Sequence, residues 1–191
     1  MRGDQGYAFS FHDNENSRLI VAFRGTVGNV KDWARNFKFL PNSQGIHTGF
    51  WEEWLMFRDD ITACVRDALR PCHVPVYFCG HSQGGATAII ASKAISDALV
   101  IPVSCIAYGA PRAGNKDFRN AANIAPIDCT TVIHGYDLVT TLPPDLVGAR
   151  QPGRIYWLWA PIWHKLWRKI ADHLPEHYDE AIKREMRKRY L

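Results

Sequence analysis

The sequence lacks an apolar run of the length that a membrane-spanning helix needs, which is about 20 residues. Its five cysteines are odd in number and show no close-paired spacing, so neither a zinc cage nor a disulfide framework is predicted. The net charge of +4 is small, and no aromatic-basic recognition module accompanies the basic C-terminal part, which argues against nucleic acid as a partner. Repeats and low-complexity tracts are also missing. These absences indicate an ordinary globular protein with no evident protein partner.

A strand pattern begins by Tyr7, which leaves no room for a signal peptide before it. We therefore expect a cytoplasmic, reduced setting by default, and secretion if the sequence is a trimmed mature form. Three of the cysteines fall in apolar strand-like runs, where a thiol packs as a small hydrophobic group.

The 191 residues are 47% hydrophobic, enough to bury a full core in a single domain over residues 1–191. Strand and helix patterns alternate along this domain, which predicts an α/β fold with a mostly parallel central sheet flanked by helices. The first two strands are joined as a hairpin. Strands are predicted at 7–12, 18–23, 74–79, 103–108, 130–134 and 155–159, and helices at 49–69, 84–98 and 116–122.

The five residues Gly80-His81-Ser82-Gln83-Gly84 follow an apolar run and precede a helical pattern. This order is typical of a nucleophile elbow, in which small residues let the chain turn sharply and expose the serine hydroxyl. The N–H groups at the start of the following helix then lie where they can stabilise an oxyanion. A glycine-rich turn whose serine only caps the helix is the alternative interpretation of this motif.

A serine nucleophile needs a histidine base oriented by a carboxylate, and in hydrolases with this elbow the acid lies between the two in the sequence. Asp137 is favoured because it closely follows a predicted strand, at the end where catalytic groups gather in open sheets. An Asx turn that closes the strand is the alternative for this residue. The other carboxylates in the interval are Asp97, Asp117, Asp128, Asp145 and Asp172.

Three histidines follow Asp137, namely His164, His173 and His177. His164 lies on the polar side of an amphipathic pattern, so solvation is its expected role. Pro175 is predicted as the first residue of a helix, which puts His173 on the loop before it and His177 in its first turn. His173 is favoured as the base because catalytic side chains often lie on such loops. The spacing of His173 and His177 also suits a metal ion, but the proline breaks a shared face and no third ligand is evident, so no metal is predicted.

A series of motifs in a fixed order resembles the fungal-type, or class 3, triacylglycerol lipases of the α/β-hydrolase fold. The resemblance covers about residues 6–178 and is far more specific than G-x-S-x-G alone. The counterparts of the family motifs are, in chain order, Phe23-Arg24-Gly25-Thr26, Asp32-Trp33, His47-Thr48-Gly49-Phe50, Gly80-His81-Ser82-Gln83-Gly84-Gly85-Ala86, Gly109-Ala110-Pro111-Arg112-Ala113-Gly114, Asp137-Leu138-Val139-Thr140-Thr141-Leu142-Pro143-Pro144 and Asp172-His173.

The resemblance implies that Ser82 is the nucleophile, Asp137 the orienting acid and His173 the general base. It also implies an oxyanion hole formed by the backbone N–H groups of Thr26 and Gln83, and no cofactor. Gln83 stands where many of these lipases have leucine, which makes the pocket wall more polar but leaves the backbone donor in place. The helical segment that these enzymes usually carry before their first strands has no counterpart here, so a less covered acyl pocket or an altered rear face is expected.

Two segments bear on the substrate. Residues 27–40 match the lid position of the family, with a packed surface helix as the alternative. Residues 162–170 have one apolar and one basic face, which suits a helix at a lipid interface and equally a helix packed on the core.

The expected function is hydrolysis of glycerides or other lipid-like esters through an acyl-enzyme intermediate, without a metal or cofactor. The expected partners are the ester substrate and, peripherally, a lipid interface. A soluble short-chain esterase or a phospholipase A1 with the same triad is the alternative among enzymes, and a non-catalytic binding module with the lipase fold is the alternative from another class.

Overall fold

The computed structural model describes residues 8–13, 17–25, 38–70, 74–144, 148–159 and 171–190. This part of the chain alternates strands and helices. The elements are, in chain order, β1 Ala8–Asp13, β2 Arg18–Phe23, α1 Thr48–Leu69, β3 Val76–His81, α2 Gln83–Leu99, β4 Val103–Tyr108, β5 Gly114–Asn115, α3 Lys116–Ile124, β6 Ile127–His134, β7 Ala149–Arg150, β8 Arg154–Leu158 and α4 Pro175–Tyr190. Single 3₁₀ turns occupy Val139–Thr141 and Ala171–His173.

Six of these strands form one sheet in the order β1, β2, β3, β4, β6, β8. β1 pairs antiparallel with β2, and every later neighbouring pair is parallel. The carboxyl ends of β3, β4 and β6 therefore meet at one edge, where the loops that follow them lie side by side. The predicted mostly parallel sheet with flanking helices is confirmed.

Helix α2 packs against β3 and β4 on one side and against α1 on the other. Because both sides are covered, its first ten residues are all buried, and they are small or apolar all round the helix apart from Gln83, Thr87 and Ser92. α1 instead buries a single stripe at helical spacing, formed by Phe50, Glu53, Trp54, Ile61 and Val65. α2 thus holds the turn after β3 rigidly against the sheet.

Two apolar clusters stabilise this arrangement. In the larger cluster, Phe23 of β2 stacks on Phe78 of β3 with ring centroids 6.3 Å apart and meets Trp54 of α1 edge-on at 6.5 Å. The smaller cluster lies between α4 and the last strands of the sheet, and its buried members are Val132, Leu158, Tyr178 and Ala181. It positions α4 beside the carboxyl edge of the sheet.

Most predicted elements agree with the structure to within three residues at either end. The predicted strand at 130–134 begins earlier, at Ile127, and the helix predicted at 116–122 ends at Ile124. The helix that begins at Pro175 was also expected. β5 and β7 have two residues each and show no periodic pattern in the sequence, which is why they were missed.

None of the helices within the described ranges is long and apolar enough to span a membrane. Four described cysteines are free thiols, and two of them, Cys105 of β4 and Cys129 of β6, are buried in neighbouring strands as small hydrophobic groups.

Candidate active site

Ser82 lies on the sharp turn between β3 and α2, with a φ of 57° and a ψ of −128° that L-residues rarely adopt. Two glycines allow the turn, because a Cβ on Gly80 would overlap the carbonyl oxygen of Gly84, and a Cβ on Gly84 would overlap that of Phe23. Ser82 makes no capping hydrogen bond with its side chain, so the alternative role as a simple helix cap is not what the structure shows. The hydroxyl lies instead at the carboxyl edge of the sheet.

One imidazole joins this hydroxyl to a carboxylate. Nε2 of His173 accepts a hydrogen bond from Oγ of Ser82 at 2.7 Å, and Nδ1 of His173 donates to Oδ2 of Asp137 at 2.8 Å. The tautomer follows from the partners, since a carboxylate oxygen can only accept. His173 and Asp137 are each 2% exposed, so the pair is shielded from bulk water. The structure thus brings together three residues that lie far apart in the sequence.

The carboxylate of Asp137 is held by two further donors. Its Oδ1 accepts from the N–H of Val139 at 2.9 Å, which is the Asx turn considered as its alternative role, and its Oδ2 accepts from the hydroxyl of Tyr178 at 2.7 Å. The turn and the contact with His173 therefore coexist. The Tyr178 hydroxyl also accepts from the N–H of His134 at 3.1 Å, so β6 and α4 together position the carboxylate of Asp137. Burial is the main cause that raises the pKa of Tyr178, and the charge of Asp137 is the second, so the Tyr178 hydroxyl remains a donor.

His81 lies beside His173 as a second imidazole. Its Nε2 donates to the backbone carbonyl of His173 at 2.8 Å, and the two ring centroids are 4.8 Å apart. Burial is the main cause that lowers the pKa of His81 to about 4, and the proximity of His173 is the second. His81 is therefore neutral near neutral pH and places no second positive charge beside His173.

A buried carboxylate supports the elbow from the other side. Oε2 of Glu53 in α1 accepts from Nε2 of Gln83 at 2.9 Å and from Oγ1 of Thr87 at 2.6 Å. Burial raises the pKa of Glu53, against the opposing effect of these two hydrogen bonds. The side chain of Gln83, which we expected to make the pocket wall more polar, is thus buried in the contact between α1 and α2. Its backbone N–H belongs to the first turn of α2, next to Ser82.

Gly109 leaves room for the side chains of Asp137 and His173. Its φ is +56°, and a Cβ there would meet Oδ2 of Asp137 at 2.9 Å, the Tyr178 hydroxyl at 3.0 Å and Nδ1 of His173 at 3.2 Å. A side chain at this position would therefore enter the hydrogen-bonded group as well as strain the backbone.

Several predicted site residues lie outside the described ranges. These are Thr26, which we predicted as an oxyanion donor, residues 27–37 of the predicted lid segment, the whole predicted amphipathic segment 162–170 with His164, and Asp145.

The remaining candidates take other places. Asp97 and Asp128 are exposed and pair with Lys93 and Arg154. Asp117 is exposed in the first turn of α3. Asp172 is fully buried, and its Oδ2 accepts from the N–H of Tyr136 at 3.0 Å. His177 faces the ring of His134 with centroids 6.1 Å apart, not Ser82.

Sequence reasoning did not assign a role to Tyr178, Glu53 or the ring of His81. A tyrosine downstream of the histidine is part of the family pattern, so Tyr178 had a signal that could have been used. Glu53 had a weaker one, because it falls in line with the apolar stripe of α1, where an isolated carboxylate is unusual.

Comparison with known proteins adds the following findings. The family model described as lipase (class 3) matches residues 20–147. The chain is 35% identical over 160 residues to secreted mono- and diacylglycerol lipase 1 of Fusarium solani, and the aligned region covers 79% of this chain and 47% of that protein. It is 27% identical over 156 residues to secreted mono- and diacylglycerol lipase A of Penicillium cyclopium, covering 78% of this chain and 50% of that protein.

Among solved structures, lipase II from Rhizopus niveus has a TM-score of 0.80 at 20% identity, covering 88% of this chain and 74% of that chain. This similarity shows a common fold. The chain spans about half the length of the curated relatives it matches.

Proposed function

The chain belongs to the class 3 lipase family, and from this membership and the geometry around Ser82 we propose that it hydrolyses glycerides or other lipid-like carboxylic esters through an acyl-enzyme intermediate. A single observation carries the proposal: the buried ring of His173 bonds Ser82 on one nitrogen, at 2.7 Å, and Asp137 on the other, at 2.8 Å. That arrangement is the one in which a serine hydroxyl becomes a nucleophile near neutral pH.

In the proposed first half-reaction, Oγ of Ser82 attacks the ester carbonyl carbon while Nε2 of His173 takes its proton. The carbonyl oxygen becomes an oxyanion, for which we propose the N–H groups of Gln83 and Thr26 as donors; each such donor contributes about 2.7–4 kcal/mol of transition-state stabilisation. The carbon–oxygen bond to the alcohol then breaks. His173 returns the proton to the leaving alcohol, and the acyl group stays on Ser82.

In the second half-reaction, His173 takes a proton from water, whose oxygen attacks the acyl carbonyl carbon. The bond to Oγ of Ser82 breaks, His173 protonates Oγ, and the carboxylic acid leaves. The negative charge of Asp137 stabilises the imidazolium in both halves, while the neutral His81 adds no opposing charge. These proton transfers need no cofactor.

The proposed substrate class is supported by the names of the relatives, which are mono- and diacylglycerol lipases. Their names also describe them as secreted, which favours secretion over the cytoplasmic setting as the proposed location of this chain. A short-chain esterase or a phospholipase A1 shares the same chemistry at Ser82 and remains the second candidate. The hydrogen-bonded state of Ser82, His173 and Asp137 speaks against a non-catalytic binding module.

Hydrolysis rates on p-nitrophenyl esters from C2 to C16, with and without an emulsified diacylglycerol, test the proposal. We expect activity on the longer esters and on the emulsion, and labelling of Ser82 by a phosphonate ester. Ser82→Ala should lose both labelling and hydrolysis with an unchanged circular dichroism spectrum. Activity restricted to the shortest esters would favour the short-chain esterase, and a wild-type protein that neither reacts with phosphonate nor hydrolyses any ester would refute the enzyme assignment.

A further inference from the structure

Three side chains lie close together next to the turn that carries His173. The proposed ester chemistry does not use them. His134 is the last residue of β6, Asp172 lies in the 3₁₀ turn that contains His173, and His177 lies in the first turn of α4. Their ligating atoms, one from each residue, all lie within 4.8 Å of one another. His134 is 6% exposed, Asp172 is fully buried and His177 is half-buried, so the group opens to solvent on the His177 side.

The hydrogen bonds within the group orient two of these side chains. Nδ1 of His134 lies 3.2 Å from the backbone carbonyl oxygen of Asp172, and because a carbonyl oxygen only accepts, Nδ1 is the nitrogen that carries the proton. Nε2 is then the ring nitrogen of His134 that offers a ligand atom to the group. The carboxylate of Asp172 is oriented by the N–H of Tyr136, which donates to Oδ2 at 3.0 Å. A histidine that donates its other ring N–H to a carbonyl, next to a hydrogen-bonded carboxylate, is the arrangement that supports metal ligands in proteins.

From this geometry we propose that His134, Asp172 and His177 form a binding site for one divalent transition-metal ion of the zinc class. Two imidazole nitrogens and one carboxylate oxygen are the donor types that zinc takes, with bonds of about 2.0–2.2 Å and water as a fourth ligand. Calcium and magnesium prefer sets made entirely of oxygen ligands, so this set selects against them.

The site would join three elements that are separate in the sequence. It links the carboxyl end of β6, the turn that carries the base and the start of α4. Asp172 immediately precedes His173, so a bound ion restrains the backbone of the turn from which the base reaches Ser82. The inference does not depend on ester hydrolysis, because metal binding is measured directly.

The sequence alone did not show this site. The sequence spacing suggests His173, four residues earlier, as the second ligand beside His177, and it indicates no third ligand. In the structure the ring of His173 is bonded to Ser82 and Asp137 instead, and the partner of His177 is His134, which lies 43 positions earlier in the numbering.

Isothermal titration of chelator-treated protein with zinc chloride tests the proposal. We expect about one equivalent of Zn²⁺ bound per chain, a rise of the melting temperature with zinc, and no displacement by a large excess of Mg²⁺. His177→Ala should bind at least tenfold more weakly and lose the rise in melting temperature. His12→Ala is the matched control, since β1 lies at the opposite edge of the sheet from β8 and this variant should bind zinc like the wild type.

A second probe distinguishes the loss of a metal ligand from a folding defect in the variants. Co²⁺ should give the visible absorption of a tetrahedral site in the wild type and in His12→Ala, and not in His177→Gln, which keeps a polar side chain of similar size. Circular dichroism of the metal-free variants shows whether they are folded. A wild-type protein that takes up no zinc, or zinc uptake that is equal in the wild type and in folded His177 variants, would overturn the site.

Discussion

At the scale of single residues, the position of the protons at the site is decided by what each ring nitrogen touches. Asp137 can only accept at Nδ1 of His173, so the lone pair of that ring faces the hydroxyl of Ser82. Tyr178 donates a further hydrogen bond to the same carboxylate, which helps to hold it in place. The neighbouring His81 is kept neutral by burial.

Asp137→Asn should lower kcat by about 10⁴-fold, because an amide favours the wrong tautomer of His173 and cannot stabilise the imidazolium. Stability should change little, since the amide oxygen still accepts from Val139. The measurement is kcat on p-nitrophenyl butyrate, together with thermal unfolding. Asp128→Asn, an exposed carboxylate on β6, is the control and should retain its rate. A near-normal rate for Asp137→Asn would move the acid role to another carboxylate.

His81 gives the fold a pH dependence whose sign follows from its pKa. The pKa is about 4 in the folded state and near 6.5 in the unfolded chain, so the stabilising contribution is complete above pH 6.5 and is lost as the pH falls towards about 4. Between pH 6.5 and about 4.5 the loss attributable to His81 is about 2 kcal/mol.

His81→Gln should remove this component, since the amide N–H₂ can donate to the His173 carbonyl and does not titrate. The measurement is the free energy of unfolding in urea at several pH values, compared between the wild type and the variant so that other groups cancel. Parallel pH profiles for the two proteins would show that His81 does not titrate as the structure indicates.

At the scale of elements, the contact between α1 and α2 determines how firmly the elbow is held. Glu53 is the buried acceptor for two side chains of α2, Gln83 and Thr87. Glu53→Leu should lower the free energy of unfolding by about 2 kcal/mol, because the buried amide of Gln83 loses its acceptor there. Glu53→Gln keeps an acceptor oxygen and should stay within about 1 kcal/mol of the wild type.

Chemical denaturation checks this pair of variants. Glu52→Leu is the matched control, because Glu52 is the adjacent residue of α1 and its exposed pair with Lys38 contributes less than about 1 kcal/mol. A Glu53→Leu variant as stable as Glu52→Leu would mean that the buried hydrogen bonds contribute nothing to the contact.

Segment 162–170 has an amphipathic sequence pattern and lies outside the described residues, so its role is predicted from the sequence. If it lies at a lipid interface, Trp163→Ala combined with Trp167→Ala should weaken binding to anionic vesicles and slow hydrolysis of emulsions, yet leave the rate on a soluble butyrate ester unchanged. Vesicle sedimentation and the two rates are the measurements. Parallel loss of both activities with a lower melting temperature would place the segment in the core instead.

At the scale of the whole molecule, the two apolar clusters are connected through the site. The larger cluster holds β2, β3, α1 and α2, and the smaller one holds α4 against β6 and β8. The hydrogen bonds of His173 and Tyr178 join the α4 side to the elbow and to the end of β6. We propose that residues 1–191 therefore form one domain that unfolds as a single unit.

Unfolding followed by circular dichroism and by tryptophan fluorescence should give coincident transitions, with a calorimetric enthalpy equal to the van't Hoff enthalpy. Circular dichroism reports the helices and strands, whereas fluorescence reports the surroundings of the tryptophans, among them Trp54 in the larger cluster and Trp157 on β8. Two resolved transitions would contradict a single cooperative domain.

The local pattern of the chain was sufficient for the elements and for part of the site. Alternation of strand and helix patterns predicted the parallel sheet. The patterns are visible because a helix or strand that buries one of its faces repeats apolar residues with its own period. The glycines of the elbow predicted the turn at Ser82, since only small residues allow it. Asp137 and His173 could be named because one follows a strand and the other precedes a helix that begins with proline.

Only the tertiary structure decided which distant side chains share a site. Glu53 meets Gln83 because α1 packs on α2, Tyr178 reaches Asp137 because α4 packs beside β6, and His177 meets His134 rather than His173 for the same reason. Each of these contacts joins residues that lie tens of positions apart, and no local period encodes such a pairing. The sequence by itself determined the chemistry available at each turn of the chain, whereas the packing of helices on the sheet decided which of those groups act together.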